Sequence, residues 1–209
     1  MAERRRHIHT DGKIINRPPP PLPKRSSKGR CIMIVDTIKI AEQMDPPPID
    51  AQIFRTAMKK VATPVTIIAT GNGEIRHGMT ASAVCSLSDQ PPMILACVNR
   101  NSAILPHLRA NGCFSANFLA EGQAELAQCF AGMTKIYGSD RFNYGAWTRL
   151  ATGAPILADA LSVFDCRLEC EYDSPTHAVL VGRVKAIIKE DSMRALIYVG
   201  GKFGCPATI

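Results

Sequence analysis

Short apolar runs and two-residue alternations dominate the chain from Ile49 onward, which is typical of β-strands. The pattern predicts strands over 65–69, 78–87, 93–98, 113–119, 161–172, 177–188 and 195–199. Helical spacing predicts a first helix that Asp50 caps and that contains Ile53, Phe54, Ala57, Met58 and Val61. Two further short helices are predicted over about 102–110 and 123–131.

The clearest alternation lies in the second half of segment 161–172. One set of alternate positions comprises Phe164, Cys166, Leu168, Cys170 and Tyr172, and the other comprises Asp165, Arg167, Glu169 and Glu171. The two sets lie on opposite faces of a strand. Because the strands do not alternate regularly with helices, a parallel doubly wound sheet is disfavoured. We expect a mainly β fold, a closed antiparallel barrel with peripheral helices.

The chain has 209 residues, enough for one domain with a proper core. It contains no apolar run of about 18 residues, so we expect no membrane span. The basic N-terminus is not followed by an apolar stretch, so we expect no secretory signal. None of the eight cysteines forms a CxxC pair, and several lie in apolar runs. They are interpreted as buried free thiols in a reducing cytoplasm rather than zinc ligands.

The net charge of +7 arises at the N-terminus. Residues 1–30 hold nine Lys or Arg against two acidic residues, and the remainder holds 16 basic and 16 acidic residues. Prolines cluster at 18–23 and 46–48, so residues 1–48 are predicted to be a basic, proline-rich, disordered extension of a domain at 49–209. The extension is either a docking tail or a solvated leader, with Met33 or Met44 as the true start. A neutral domain argues against specific nucleic-acid binding.

Common nucleotide and hydrolase motifs are missing. The pair Gly71 and Gly73 follows a strand, but Arg76 occupies the third glycine position and the next segment looks extended, which disfavours a Rossmann turn. The sequence has no GxxxxGK[ST] loop and no GxSxG elbow. The five histidines do not pair at metal-ligand spacing, so no metal site is predicted.

Two neighbouring segments carry the candidate chemistry. The first, 78–92, is rich in small hydroxyl residues and ends in Pro91-Pro92. The second runs from Cys97 to Ser102, where a helix with a hydroxyl cap would favour a phosphate. Such a surface suits a flat ring system and a phosphate. Patterning alone leaves an ordinary Ser/Thr-rich edge strand equally open.

The run from His77 through Pro92 resembles the signature of the flavin reductase-like, FMN-binding split-barrel family, the small reductases of two-component flavin monooxygenases and their relatives. The resemblance covers about residues 53–204. Other stretches also match the family, and they occur in the family's order along the chain. They are 54–58 before this run and, after it, 114–119, 130–132, 140–142, 153–160, His177 with 182–184, and 198–204. Two departures stand out. Pro175-Thr176 replaces the usual Gly-Asp before His177, and Phe203 replaces a tyrosine.

The resemblance implies a homodimeric split β-barrel that binds FMN or FAD and uses NADH or NADPH. The implied flavin-binding residues are Met79, Thr80, Ala81, Ser82, Ser86, Ser88, Cys97, Val98, Asn99 and Ser102. Ser82 is the candidate hydrogen-bonding partner near flavin N5. Ser86, Ser88 and Ser102 would serve the ribityl chain and phosphate, and 97–99 would line the pyrimidine side through their backbone.

The resemblance also implies a site for the nicotinamide dinucleotide. His177 is expected to bind it, and Phe203 is expected to flank the nicotinamide. Hydride transfer is the chemistry of the cofactors themselves, so no catalytic residue is assigned.

Several functions stay open at this point. The first is a flavin oxidoreductase that supplies reduced flavin to a partner monooxygenase or another small-molecule acceptor. The second is a reductase of a metal centre, such as ferric iron or the cobalt of a corrin in cobalamin biosynthesis. The third is a flavin carrier without turnover. The fourth is a polyanion- or partner-binding protein that acts through its tail.

Overall fold

The computed structural model describes residues 48–191 and 194–207. Except for Pro48, the predicted N-terminal extension and both alternative starts lie outside these residues. The remainder of the chain, from Ile49, forms one compact unit.

Strands are the main regular structure of the described chain. They are β1 Thr63–Pro64, β2 Thr66–Asn72, β3 Ile75–Ala81, β4 Val84–Asp89, β5 Pro92–Asn99, β6 Cys113–Phe118, β7 Trp147–Arg149, β8 Pro155–Leu157, β9 Ser162–Asp173, β10 His177–Lys189, β11 Ile197–Val199 and β12 Lys202–Gly204. The helices are α1 Ala51–Met58, α2 Ile104–Asn111 and α3 Ala124–Phe130, with a 3-10 helix at Gly138–Asn143. No helix in 48–191 or 194–207 is long and apolar enough to cross a membrane.

A seven-stranded sheet forms the centre of the fold, with the order β3-β2-β6-β9-β10-β5-β4 and antiparallel pairing throughout. Its two edge strands, β3 and β4, follow each other in sequence and are joined by Ser82 and Ala83 alone. Because three peptide units span at most about 11 Å, the two edges must meet at this point. The sheet therefore curls into a barrel that is split between β3 and β4, which confirms the predicted fold class.

The prediction of one strand over 78–87 is wrong. Ala81 and Val84 are both buried, whereas Ser82 and Ala83 between them are exposed. Two consecutive exposed residues break the alternation of a strand, and the chain turns there from one edge of the sheet to the other. Four small residues in succession concealed this bend in the sequence.

Two hydrophobic clusters lie on the two faces of β2. Ile68 joins the barrel interior, with residues of β5, β6, β10 and α2. Ile67 and Ala69 join a second cluster, which α3 and β8 cover. A strand that is buried on both faces appears as a continuous apolar run. This explains why the segment 65–69 was recognisable without any alternation.

The prediction that alternate residues from Phe164 to Tyr172 share one face of β9 is wrong. A register shift against β10 leaves Cys166 and Leu168 toward the barrel interior and puts Cys170 and Tyr172 on the outer face.

Asp165 shows how a covering loop changes the polar face of β9. The alternation places it on one face with Arg167, and the structure buries it completely. Its carboxylate accepts hydrogen bonds from the backbone N–H of Thr152, at 2.8 Å, and from the Thr152 hydroxyl. The carboxylate thus fastens the loop before β8 onto the barrel.

Helix α1 begins as predicted, and the C-terminal end of the fold differs from the prediction. Asp50 accepts hydrogen bonds from the N–H groups of Gln52 and Ile53, at 2.8 and 3.0 Å. The last predicted strand, 195–199, is shortened to β11, which pairs with the additional strand β12. Ala195 forms only an isolated bridge with Ala120.

Gly182 permits the closest packing inside the barrel. A Cβ atom there would lie 2.5 Å from Cζ of Phe114 and 2.9 Å from Cβ of Cys166. We expect Gly182→Ala to destabilise the fold by about 1–3 kcal/mol, because overpacking forces side chains from their rotamers. Thermal unfolding should show a midpoint lower by about 3–10 °C.

Gly204→Ala is the matched control, because a Cβ atom at Gly204 would have no neighbour within 4 Å. Equal midpoints for the two variants would contradict the packing argument.

Candidate functional site

The split between β3 and β4 exposes polar groups of the link and of β4. Ser82 in the link and Ser86 on β4 are both exposed. Cys97 on β5 lies beside the link, since its N–H donates to the carbonyl of Ala83 at 2.9 Å. The structure thus brings Ser82 and Cys97 together at the opening of the barrel.

A cavity of about 430 Å³ lies between β3, the start of α2, the end of α3 and the 3-10 helix. Three of the predicted flavin-binding residues line it, namely Met79, Thr80 and Ser102. Its other walls include His77, Tyr137 and Arg141. The cavity therefore combines hydroxyls, an imidazole, a phenol ring and a guanidinium group.

Two of the predicted hydroxyl donors already have partners in the fold. The Thr80 hydroxyl donates to the carbonyl of Ala127 at 2.6 Å, and the Ser102 hydroxyl contacts the sulfur of Met79 at 3.4 Å. The expectation that Ser102 caps α2 is wrong, because the N-cap is Ala103 and no side chain bonds to the helix start. The N–H of Ser102 instead closes a turn onto the carbonyl of Asn99.

His77 is the most unusual polar group of this cavity. Its ring stacks on that of His107 with centroids 3.4 Å apart and planes 8° apart. Burial, and secondarily the neighbouring His107, lower the pKa of His77. Its Nε2 is buried without a hydrogen-bonding partner among the described residues. A neutral imidazole with an unused nitrogen therefore lies at the cavity wall.

Arg141 holds the walls of the cavity together. Its guanidinium donates to the carbonyls of Ile136, Gly78 and Phe130, at 3.1, 3.4 and 3.5 Å. These carbonyls belong to the loop, to β3 and to the end of α3. The side chain therefore fixes three separate segments relative to one another.

His177 begins β10 and lies opposite Asn99 of β5 in the sheet register. Its Nδ1 lies 2.8 Å from the hydroxyl of Thr176. Asn99 uses its side-chain oxygen to accept from the N–H of Asn101 at 2.9 Å. The two predicted residues thus share one end of the barrel, where β5, β10 and the turn before α2 meet.

The remaining predicted residues lie in different surroundings. Ala81 and Val98 are buried in the barrel interior, so their side chains do not face the split. Ser88 lies near the end of β4, where its hydroxyl accepts from the N–H of Gln90 at 3.2 Å. Phe203 packs against Tyr198, with centroids 5.3 Å apart, on the cluster that covers the outside of β2. Within one chain, Phe203 and His177 therefore belong to different parts of the fold.

Burial and neighbouring groups also raise the pKa of two cysteine thiols, Cys97 and Cys166. Burial, with a smaller contribution from Cys85, raises the pKa of Cys97 at the split. Deep burial raises the pKa of Cys166 to about 12. The seven cysteines among the described residues are free. Because its pKa is raised, the Cys97 thiol stays neutral and presents no charge at the split.

Sequence reasoning assigned no role to His77, His107, Tyr137 or Arg141. The family resemblance pointed to two of them. His77 is the first residue of the run that resembles the family signature, and Arg141 lies in the matching stretch 140–142. His107 reaches His77 through the packing of α2, and Tyr137 reaches the cavity through the loop after α3. The sequence pattern does not report either contact.

The donor set fits a flavin. Exposed hydroxyls at the split suit the polar edge of the ring and the ribityl chain. The cavity beside Ser102, with the guanidinium of Arg141 in its wall, offers a polar place for a phosphate. Neutral thiols and apolar strand residues suit a flat ring system.

Comparison with known proteins gives a consistent result. The flavin reductase-like domain family matches residues 58–205. The protein named FMN reductase (NADH) RutF 1 from Methylorubrum extorquens is 44% identical over 151 residues, which are 72% of this chain and 74% of that protein.

Solved structures agree with the sequence comparison. BorF, the flavin reductase component of a bacterial two-component tryptophan halogenase, superposes with a TM-score of 0.69 at 34% identity, covering 75% of this chain and 98% of BorF. The NADH:FAD oxidoreductase SgcE6 of Streptomyces globisporus superposes with a TM-score of 0.70 at 27% identity, covering 81% and 99% of the two chains. On this match of sequence, fold and site, the chain belongs to the flavin reductase-like domain family.

Proposed function

We propose that this chain is an NADH-dependent flavin reductase that reduces FMN and releases it to an acceptor, such as the monooxygenase component of a two-component system. The observation that carries the proposal is the donor-lined split between β3 and β4, in a chain 44% identical to a protein named FMN reductase (NADH). We place it in the cytoplasm, because the cysteines among the described residues are free thiols, as is usual in a reducing compartment. Residues 49–209 form the catalytic domain in this proposal.

The residues at the split are proposed to bind the flavin. Ser82 is the candidate donor at the reactive edge of the ring, because it is exposed in the link where the barrel opens. Ser86 and the backbone of Cys97 and Asn99 face the ring and its side chain. Ser102 serves the phosphate end, since it lines the adjacent cavity.

His177 is proposed to bind the nicotinamide end of NADH. It lies beside Asn99, so a nicotinamide held there would approach a flavin that rests on the same strand end. Bound flavin supplies the chemistry, since its N5 accepts the hydride of the nicotinamide. The protein would contribute orientation, with the groups at the split holding the flavin and His177 holding the nicotinamide.

We also propose that the chain forms a homodimer. Strand β5 alternates between core residues and the half-buried Leu95 and Cys97, so these two side chains lie on the outer face of the barrel. Cys97 aligns across the sheet with Val179 and Tyr172, which continue this face. An apolar outer face beside the split suits a second copy of the chain, which would also shield the flavin from water.

The first prediction concerns flavin reduction itself. Under anaerobic conditions, NADH and a catalytic amount of protein should rapidly bleach the visible absorbance of excess FMN, because each turnover transfers one hydride to the flavin. A sample without protein supplies the background rate. If FMN binds to the protein but neither NADH nor NADPH bleaches it, the chain is a flavin carrier and the reductase proposal is wrong.

The second prediction concerns His177. Replacing it by Ala should raise the KM for NADH about five-fold or more, because one hydrogen bond worth about 1 kcal/mol is lost. The KM for FMN should change less than two-fold and serves as the internal control. Steady-state kinetics with each substrate varied in turn measures both values. Equal effects on the two KM values would instead indicate a general distortion of the site.

The third prediction concerns the dimer. Sedimentation velocity should give about twice the chain mass of 22.7 kDa, and Leu95→Arg should shift the protein toward the monomer, because it places a charge on the outer apolar face. Ile75→Arg is the matched control, since Ile75 is exposed at the far end of β3. A wild-type mass equal to one chain would exclude the proposed homodimer.

A further inference from the structure

The turn between β9 and β10 is closed tightly before His177. It consists of Ser174, Pro175 and Thr176, and the N–H of Ser174 donates to the carbonyl of His177 at 2.9 Å. The first residue of β10 is thereby bonded across its own turn. The imidazole projects from a fixed backbone.

Arg100 fastens the same turn to the end of β5. Its N–H donates to the carbonyl of Thr176 at 3.1 Å, and its guanidinium donates to the carbonyl of Ser174 at 3.2 Å. The guanidinium also lies 3.6 Å from the carboxylate of Asp173. The backbone of Thr176 is therefore held against the segment that contains Asn99 and Ser102.

The hydroxyl of Thr176 lies 2.8 Å from Nδ1 of His177. This contact leaves Nε2 as the ring nitrogen that is free to meet a ligand. The outer torsion of a histidine is otherwise broad, so a ring without such a partner samples both flipped orientations. A hydroxyl that donates to Nδ1 also keeps the proton of a neutral imidazole on Nε2.

We propose that Thr176 is a positioning residue for NADH: its hydroxyl donates to Nδ1 of His177 and presents Nε2–H as the donor to the carboxamide oxygen of the nicotinamide. This inference rests on the proposed role of His177 in binding the dinucleotide. Thr176 acts through His177 and does not touch the reacting atoms.

Kinetics of Thr176 variants tests the proposal. Thr176→Val keeps the shape and removes the hydroxyl, and should raise the KM for NADH about five-fold, the equivalent of about 1 kcal/mol, with kcat changed less than two-fold. Thr176→Ser keeps the hydroxyl and should stay within two-fold of the wild type. Thr148→Val, on an exposed position of β7, is the control for the substitution itself and should change neither constant.

A double-mutant cycle separates positioning from packing. In a chain that already carries His177→Ala, Thr176→Val should have no further effect on the KM for NADH, because there is no imidazole left to orient. If the two substitutions contribute independently, or if Thr176→Ser behaves like Thr176→Val, Thr176 does not act through His177 and the proposal is overturned.

A spectroscopic readout makes the test independent of turnover. Nitrogen-15 NMR of the full chain should show His177 in one neutral tautomer with the proton on Nε2, and Thr176→Val should give a mixture of tautomers. Unchanged imidazole signals would overturn the inference even if NADH reduces flavin. A tautomer change in a chain that does not oxidise NADH would support the positioning contact and reject the proposed reductase activity.

Discussion

The link of two residues between β3 and β4 is the constraint on which the rest of the fold depends. Ser82 and Ala83 join the two edges of a seven-stranded sheet, so the sheet has to close on itself at that point. Closure buries one face of every central strand and leaves the edges split where the link passes. The same bend that closes the barrel therefore exposes polar groups at its opening. Two residues, Ser82 and Ala83, thus both close the fold and form part of the candidate site.

Arg141 and His77 show that the walls of the adjacent cavity are built from side chains that mainly hold the protein together. Arg141 uses its donors on three backbone carbonyls, and His77 is stacked on His107. Gly78 belongs to the same arrangement, since a Cβ atom there would lie 2.6 Å from the ring of Phe130. The cavity keeps its shape because loop, strand and helix are fastened together, so its polar groups are preorganised.

At the opposite side of Asn99, Arg100 couples the turn before β10 to the turn before α2. The first of these turns carries His177 and the second carries Ser102. In the proposed function, contacts of a dinucleotide at one turn and of a flavin at the other would be connected by this side chain and the short strand end between them.

The sequence by itself determined the mainly β class, the double burial of β2, the cap at Asp50 and, through its ordered motifs, the family. These features depend on local periodicity and on residue types at fixed spacing, which a linear chain displays directly. The bend at Ser82, the burial of Asp165 under Thr152 and the cavity that joins His77 to Tyr137 were decided by the tertiary structure. Each depends on contacts between segments far apart in sequence, and neither spacing nor alternation encodes which loop covers which strand. For the same reason, Ser102 is a helix cap by sequence pattern and a partner of Met79 in the fold.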